Sequence, residues 1–441
     1  MDPTELLREL IRLDTTNPPG NEEPAADLLR SVLDDAGLKT HIHTSDTGRP
    51  SLIARLEGPS DRPALVLVSH TDVVAAEADG WSRDPFGGEL VDGCVWGRGA
   101  LDMKGIAVMH VAAVAALAGS DEAGRREVIV ASFADEEAGG AHGARSVLGE
   151  VPDALGFGDG RPAPDALGEG AFGLSGILDR PLMPVVVGEK SALWLELEAR
   201  GDPGHGALPP LNQAPLNLAR ALNKISGRGD TRVHPVMREQ FRILGERVGG
   251  GRAAAFKALA SGAGNNVARA LKKPLSKSGA IAALLSDTLT PTRIEAGYKH
   301  NVVPGEARAS LDCRLLPDTD IDAMKRKLEK VCARYDVTVS EMARHGGPVS
   351  ARTDLFDAIV SVSERMAERP IPVPSLTSGM TDLRFLRSRG AAAYGWVPLV
   401  VDPDLLGTIH GHDERVEVAA FERAVDAMSQ VVRRVGAPGQ R

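Results

Sequence analysis

Short aliphatic runs alternate with a helical pattern in the first third of the chain, and this alternation limits the fold to a small set of architectures. Strands are predicted at 51–57, 64–69 and 127–133, because each run is short, apolar and bounded by turn residues. The apolar stretch from Ile106 to Leu117 predicts a buried helix between the second and third strands. Strands that alternate with helices are typical of α/β proteins, so we expect a sheet flanked by helices.

The middle of the chain has a different pattern. Its apolar and polar residues alternate, which is typical of strands in an antiparallel sheet with one exposed face. The predicted elements are strands at 192–199, 291–296, 306–314 and 335–341, and helices at 212–226 and following Asp320. Their order is βαββαβ, a known α+β arrangement. We therefore expect an inserted domain at 189–345, within a first domain made of 1–188 and 346–441.

Two segments fall outside this pattern. Residues 228–289 are rich in Ala, Gly and Arg and are too long for a plain loop, so short helices that elaborate the inserted domain are expected. Residues 152–176 are rich in Gly, Pro and Asp and are predicted to be a loop.

Composition narrows the class of protein. With 441 residues, the chain is longer than a domain built around a single hydrophobic core usually is, which supports two domains. The formal net charge of −9 argues against nucleic acid and anionic membrane as partners. Cys94, Cys313 and Cys332 show no CxxC spacing, so neither a disulfide framework nor a zinc finger is expected. The acidic N-terminus lacks the regions of a signal peptide, which predicts a cytoplasmic protein.

Side chains that bind metals follow two of the predicted strands. Ser69-His70-Thr71-Asp72 comes directly after one strand, and the carboxyl ends of parallel strands are where ligands bind. A neutral imidazole is a good metal ligand, and a nearby carboxylate can accept its other N–H. Taken alone, this histidine has a plainer interpretation as a strand end with a turn aspartate.

Three successive carboxylates, Asp135-Glu136-Glu137, follow the strand at 127–133. They repel one another unless a cation lies among them, although a solvated turn is the simpler alternative. On an extended chain Glu136 and Glu137 would point in different directions, so one could bind metal while the other serves as a general base.

The remaining candidates are individually weaker. Asp102 lies in the glycine-bounded loop 97–105, where it replaces the third glycine of a dinucleotide-binding fingerprint. It is either the N-cap of the following helix or a carboxylate able to bridge two metals. Glu169 and His205 are isolated, glycine-flanked residues, and His410 precedes two acidic residues, Asp413 and Glu414, with an ordinary explanation as helix caps.

Taken in order, these motifs resemble those of the M20 family of dinuclear metallopeptidases and amidohydrolases over nearly the whole chain. The matching segments are 69–72, 97–105, 135–137, 168–170, 301–304 and 410–411. The resemblance implies a zinc-peptidase-like catalytic domain with a mixed sheet, and an inserted lid domain that often dimerises, so a homodimer is expected. Gly-Glu-Gly at 168–170 is similar to the aminoacylase and carboxypeptidase S branch.

The resemblance also implies a role for each site residue. His70 and Glu169 would bind the first metal, Glu137 and His410 the second, Asp102 both, while Asp72 would support His70 and Glu136 would be the general base. In the lid, His205 would stabilise the oxyanion, and Asn301 and Arg314 would contact the substrate, including its carboxylate. Gly379 and Thr381 would line the substrate pocket. His412 is a second candidate imidazole, although the His-Gly spacing favours His410.

The expected activity is hydrolysis of the amide bond of an N-acyl amino acid or a small peptide by a hydroxide shared between two divalent ions. Mixed nitrogen and oxygen ligands fit zinc, with cobalt and manganese as alternatives. Alternatives within the family are a carboxypeptidase, a dipeptidase and a desuccinylase. The alternative from a different class is a non-catalytic metal- or ligand-binding protein that keeps the fold.

Overall fold

The computed structural model describes residues 2–59, 61–121, 126–229, 231–271 and 279–436. The chain divides into two compact units. The large unit comprises Met1–Gly188, Val349–Ser375 and Thr381–Arg441, and the small unit comprises Glu189–Pro348 and Leu376–Met380. Within the described residues, none of the helices combines the length and the apolar composition needed to span a bilayer.

The large unit contains most of the predicted α/β elements. Its helices are α1 (Pro3–Arg12), α2 (Glu23–Asp35), α3 (Lys104–Ala118), α4 (Ala144–Glu150), α11 (Asp354–Ser363), α12 (Leu383–Ser388), α13 (Pro403–Leu406) and α14 (Val418–Gly436). Its strands are β1 (Lys39–Thr44), β2 (Pro50–Leu56), β3 (Leu65–His70), β4 (Glu89–Val91), β5 (Cys94–Trp96), β6 (Val128–Phe133), β7 (Asp165–Leu174), β8 (Leu182–Glu189), β16 (Ile371–Thr377), β17 (Ala392–Val401) and β18 (Arg415–Glu417).

One large mixed sheet organises this unit. In the described part of the chain its strand order is β1-β2-β6-β3-β7-β17-β8-β16. β3 runs parallel to both β6 and β7, whereas β2 runs antiparallel to β6. The helix α3 contacts β3 and β6, while α4 and α12 pack on the face that carries Val66 and Val68. The predicted mixed sheet flanked by helices is therefore confirmed.

The positions of β3 and β6 in the sheet account for their continuous apolar sequences. Every residue of β3 and β6 is buried, because helices cover both faces of the sheet, so the runs read as continuous apolar segments. The helix α3 is likewise buried around most of its circumference. Each fully buried aliphatic side chain contributes about 1.5–3 kcal/mol relative to an exposed one, so these elements anchor the unit.

The prediction of a loop over 152–176 is wrong for its second half. Residues Asp165–Leu174 form β7, which lies between β3 and β17 in the middle of the sheet. The glycines there serve close packing of strands and not a turn, because a Cβ added to Gly170 would lie 2.8 Å from the Cα of Gly395 on β17. This finding moves Glu169 from an exposed loop into the centre of the molecule's main sheet.

The small unit follows the predicted βαββαβ order. Its elements are β9 (Ser191–Arg200), β10 (Gly204–His205), α5 (Ala214–Ile225), β11 (Gly227–Arg228), α6 (Pro235–Arg247), α7 (Gly250–Ala260), α8 (Gly264–Ala270), α9 (Gly279–Leu284), β12 (Thr288–Ala296), β13 (Val302–Val303), β14 (Glu306–Leu315), α10 (Ile321–Cys332) and β15 (Val337–His345). The antiparallel sheet has the order β11-β12-β14-β9-β15. Leu193, Leu195 and Leu197 of β9 all belong to its core, as their alternation predicts.

Between α5 and β12 the described residues form short helices, and residues 230 and 272–278 lie outside the described residues. Asp287 ties this segment to the small unit, because its carboxylate accepts hydrogen bonds from the Leu316 N–H (2.8 Å) and the Thr319 hydroxyl (2.9 Å). The buried Lys190 Nζ donates to the backbone carbonyls of Ala283 (3.0 Å) and Ser286 (2.9 Å). The elaboration is thus packed onto the unit by buried polar contacts.

Candidate metal centre

Five of the predicted site residues converge at the carboxyl ends of the central strands. His70 is the last residue of β3, and Glu169 lies on the neighbouring strand β7. Glu137 belongs to a short 3₁₀ helix that follows β6, Asp102 to the loop before α3, and His410 to the loop before β18. Because β3, β6 and β7 are parallel neighbours, their carboxyl ends lie on the same edge of the sheet.

These residues form two groups that share one member. Among the described residues, His70, Asp102 and Glu169 offer ligand atoms that all lie within 4.8 Å of one another. Asp102, Glu137 and His410 form a second group by the same criterion. The Asp102 carboxylate lies between two imidazoles, with Oδ1 at 3.3 Å from His70 Nε2 and Oδ2 at 3.3 Å from His410 Nε2. Each carboxylate oxygen therefore faces a different group.

The alternative role of Asp102 as a helix cap is not what the structure shows. Met103 occupies the N-cap position of α3, and no side chain caps that helix end. The carboxylate of Asp102 points instead to the two imidazoles.

Asp72 organises the chain around His70 and the acidic turn. His70 Nδ1 lies 2.9 Å from the backbone carbonyl of Asp72 and 3.5 Å from its carboxylate, which leaves Nε2 directed at Asp102. The fully buried Asp72 carboxylate accepts hydrogen bonds from Asn17 Nδ2 (2.8 Å) and from the N–H groups of Glu136 (3.1 Å) and Glu137 (3.0 Å). One aspartate therefore fixes both the first imidazole and the turn that carries two glutamates.

In the sequence analysis, Glu136 and Glu137 were treated as part of an extended chain. The structure instead has a 3₁₀ helix at Glu136–Ala138. Asp135 precedes it in the left-handed region with φ 68°, and its carboxylate accepts a hydrogen bond from the His142 N–H at 2.9 Å. The turn directs Glu137 Oε1 to within 3.4 Å of His410 Nε2. It places Glu136 Oε1 at 3.7 Å from the Arg384 guanidinium, so the two glutamates have different surroundings.

The electrostatics of the centre differ between its acids and its imidazoles. Burial raises the pKa of Glu136 well above its ordinary value, and the nearby Asp382 and Glu137 add to this effect. Burial also raises the pKa of Glu169, assisted by the negative charge of Asp102. Burial opposes the positive charge of His70, but hydrogen bonding to Asp102 and Asp72 outweighs it and raises the pKa of His70.

His410 is the second imidazole, and it is half exposed. The Asp102 and Glu137 carboxylates that lie beside its Nε2 raise its pKa to about 10. The imidazole of His412 packs against Gly80 instead, so closely that a Cβ added to Gly80 would lie 2.8 Å from His412 Nε2. Of the two histidines only His410 belongs to the second group.

The donor set fits divalent cations. Without a cation, the carboxylates of Asp102, Glu137 and Glu169 would lie close together in a partly buried place and repel one another. Glu137 Oε1 is buried and, among the described residues, accepts no hydrogen bond that satisfies normal geometry. A buried carboxylate oxygen without a donor, beside an aspartate shared by the two groups, is suited to bind a cation.

The raised pKa of His410 predicts how the stability of the metal-free protein depends on pH. A pKa of about 10 in the folded state, against an ordinary 6.5, contributes stability that is complete below 6.5 and is lost as pH rises through 10. We expect the difference in free energy of unfolding between wild type and His410→Gln to shrink over that window. Chemical denaturation of both metal-free proteins at several pH values measures it, and a difference that grows with pH would contradict the assignment.

The remaining predicted residues are distributed over both units. In the small unit, β10 with His205 pairs with β13, and the Gly206 N–H donates to the Asn301 carbonyl at 2.9 Å, so His205 and Asn301 are neighbours. Arg314 Nε donates to both carboxylate oxygens of Asp312, at 2.9 and 3.1 Å.

The two residues predicted to line the substrate pocket fall in different units. Gly379 belongs to the small unit, where its N–H donates to the Thr377 hydroxyl at 3.2 Å. Thr381 belongs to the large unit and is buried, and its hydroxyl accepts a hydrogen bond from the Leu383 N–H at 3.3 Å.

Several residues around the centre were missed by the sequence analysis. Asn17, which precedes two prolines in the sequence, was not among the predicted site residues, although its amide donates to the Asp72 carboxylate. Asp382 is fully buried, and burial raises its pKa to about 7. Arg384 Nη2 donates to the Gly139 carbonyl at 2.7 Å and so contacts the acidic turn. The one available signal was the Thr381-Asp382-Leu383-Arg384 stretch, in which two charged residues lie among apolar ones.

The fold and the centre define a hydrolase of the metallopeptidase class, and comparison with known proteins agrees. The sequence model described as Peptidase family M20/M25/M40 matches residues 66–434. Aminoacylase-1 of Sus scrofa is 27% identical, with 97% of this chain and 93% of that protein covered. Succinyl-diaminopimelate desuccinylase of Cereibacter sphaeroides is 27% identical, with 96% of each chain covered.

Solved structures show the same fold. The M20 family metallo-carboxypeptidase Sso-CP2 from Sulfolobus solfataricus superposes with a TM-score of 0.74 at 18% identity, with 99% of this chain and 100% of that chain covered. The chain therefore belongs to peptidase family M20/M25/M40. It is a hydrolytic enzyme of the kind that cleaves amide bonds with the help of metal ions.

Proposed function

We propose that this enzyme removes the acyl group from N-acyl amino acids by means of a dinuclear metal centre. The observation that carries the proposal is the position of Asp102, whose two oxygens lie at 3.3 Å from the two imidazoles and belong to both ligand groups. A shared carboxylate of this kind suits two ions placed side by side.

The ligands divide between the two ions as the groups do. His70 and Glu169 would hold one ion, Glu137 and His410 the other, and Asp102 both. Two ions with mixed nitrogen and oxygen ligands fit zinc, with cobalt and manganese as alternatives. When bound, they would supply Lewis-acid activation of water and of the scissile carbonyl.

Glu136 would perform the proton transfers. Its side chain is 12% exposed, lies beside the centre and has no place in either ligand group. Burial raises its pKa, which suits a carboxylate that accepts a proton from the attacking water and then gives it to the leaving amine. Asp72 would hold both His70 and the turn of Glu136 in place.

Residues of the small unit would recognise the substrate. His205 would stabilise the oxyanion, and Asn301 would contact the substrate beside it. Arg314 would bind the α-carboxylate through its Nη groups, because its Nε is used by Asp312. Gly379 and Thr381 would line the acyl or side-chain pocket. A homodimer formed through the small unit and a cytoplasmic location also stay predictions of the sequence.

The choice of N-acyl amino acids rests on two relatives whose names indicate removal of an acyl group, aminoacylase-1 and succinyl-diaminopimelate desuccinylase. A panel of N-acetyl amino acids, N-succinyl-diaminopimelate, dipeptides and a C-terminal peptide substrate tests it. The protein is first stripped with a chelator and then reloaded with zinc, cobalt or manganese.

We expect hydrolysis that disappears on chelation, returns with metal and is fastest for one N-acyl amino acid. Faster turnover of a dipeptide or of a C-terminal peptide bond would replace the proposed substrate with a peptide. Hydrolysis that survives complete removal of metal would contradict the mechanism.

A further inference from the structure

A buried ion pair joins the two loops that carry Asp102 and His410. Arg98 Nη1 donates to Glu414 Oε2 at 2.7 Å, and the two side chains are 2% and 0% exposed. Arg98 Nη2 donates to the backbone carbonyl of Gly411, also at 2.7 Å. The pair therefore connects the loop before α3 with the residue that directly follows His410.

The Glu414 carboxylate also collects backbone N–H groups of the Asp102 loop. Oε1 accepts hydrogen bonds from the N–H groups of Leu101 (2.8 Å) and Asp102 (3.1 Å). Oε2 accepts a further one from the Gly99 N–H at 3.2 Å. The Gly97 N–H donates to the Glu414 backbone carbonyl at 2.9 Å. One glutamate thus fixes the loop up to the peptide group of Asp102 itself.

These contacts correct the interpretation of the acidic residues after His410. Glu414 caps no helix, since α14 begins at Val418. Asp413 instead accepts hydrogen bonds from the N–H (2.7 Å) and the hydroxyl (2.8 Å) of Ser82. Glu414 is therefore a buried acid whose carboxylate has four donors, namely Arg98 and three backbone N–H groups of one loop.

We propose that Arg98 and Glu414 form a positioning pair that sets the spacing of Asp102 and His410 before metal binds. The inference rests on the proposed function, because it takes Asp102 and His410 as ligands of the second ion. Arg98 holds the peptide after His410, and Glu414 holds the peptide of Asp102. Ligands that are held in place by surrounding hydrogen bonds lose less freedom when the ion binds, so affinity rises.

A second buried ion pair offers a matched control. Arg126 Nη2 lies 2.7 Å from Asp165 Oδ2, with side chains 7% and 9% exposed. Asp165 pairs with Leu65 at the start of β3, whereas His70 ends that strand. At about 3.3 Å per residue the two ends are roughly 16 Å apart. Asp165 also begins β7, four residues or about 13 Å before Glu169, so loss of the pair removes similar burial and charge without touching the loops of Asp102 and His410.

The experiment compares Glu414→Gln and Arg98→Lys with Asp165→Asn. The Gln amide keeps the shape of Glu but turns an NH₂ group toward N–H donors, and Lys cannot reach two acceptors as the Arg fork does. Zinc dissociation constants of the metal-free proteins are measured by competition with a chromophoric chelator, with no substrate present. Thermal unfolding of the same metal-free samples reports fold stability separately.

We expect Glu414→Gln to weaken binding of at least one zinc ion by roughly 10–100-fold, and Arg98→Lys to weaken the same ion. Asp165→Asn should lower the unfolding temperature and leave zinc affinity unchanged. If Glu414→Gln does not fold, the Arg98→Lys result decides.

Wild-type zinc affinity in the folded variants would overturn the proposal, and so would an equal loss of affinity in Asp165→Asn. A wild-type protein that binds two zinc ions but hydrolyses no substrate would contradict the proposed function alone. A wild-type protein that binds no zinc would overturn both.

Discussion

Glu136→Gln is expected to retain both metal ions and to lose about 10²- to 10⁴-fold in turnover, the usual contribution of a general acid–base residue. The reason is that Glu136 lies beside the centre but belongs to neither ligand group, while burial raises the pKa of its carboxyl. Gln keeps the shape of the side chain and cannot accept the proton. Steady-state kinetics and elemental analysis of the same sample measure the two effects together.

The matched control for this variant is Glu150→Gln. Glu150 ends α4 and its side chain is 60% exposed, so its loss should change neither turnover nor metal content. Turnover of Glu136→Gln at the wild-type rate would exclude the general-base role. A loss of turnover that is matched by loss of metal would make Glu136 a support of the ligands instead.

Asp102→Ala is expected to abolish turnover by removing ligands from both ions at once. Its two oxygens face His70 and His410 at 3.3 Å, and no other described carboxylate belongs to both groups. His410→Ala, in contrast, removes a ligand of the second group only. Both variants are dialysed against the same zinc concentration. His410→Ala keeps all ligands of the first group and should retain about one ion per chain, and Asp102→Ala should retain less.

Elemental analysis of the dialysed variants distinguishes these cases, with circular dichroism to show that both are folded. Equal metal content in Asp102→Ala and wild type would exclude a bridging role. Equal loss in the two variants would mean that the second ion is needed to retain the first.

The sequence predicted the elements whose pattern is local. The predictions of buried strands at β3 and β6, and of a half-buried strand with Leu193, Leu195 and Leu197 on its inner face, were correct. Burial on both faces of a strand gives a continuous apolar run, and burial on one face gives an alternating pattern. The loop expected over 152–176 failed for the same reason in reverse. In β7, Gly170 is required by the close approach of Gly395 on the neighbouring strand, and Gly395 lies far away in the sequence.

The same division holds for the candidate centre. His70, Glu137 and Asp102 could be proposed from motifs, and the structure brings them together with Glu169 and His410. The supporting residues could not be found in this way. Glu414 is more than 300 residues from the loop it holds, so a rule based on neighbouring positions assigned it to the nearest helix end.

The proposed mechanism requires the chain to bind two metal ions through one shared aspartate. The most direct measurement is the number of zinc ions per chain, by elemental analysis of the chelator-treated protein after dialysis against zinc, in wild type and in Asp102→Ala. We expect two ions in the wild type and a marked loss in the variant. A wild type that holds one ion or none, or a variant that still holds two, would contradict it.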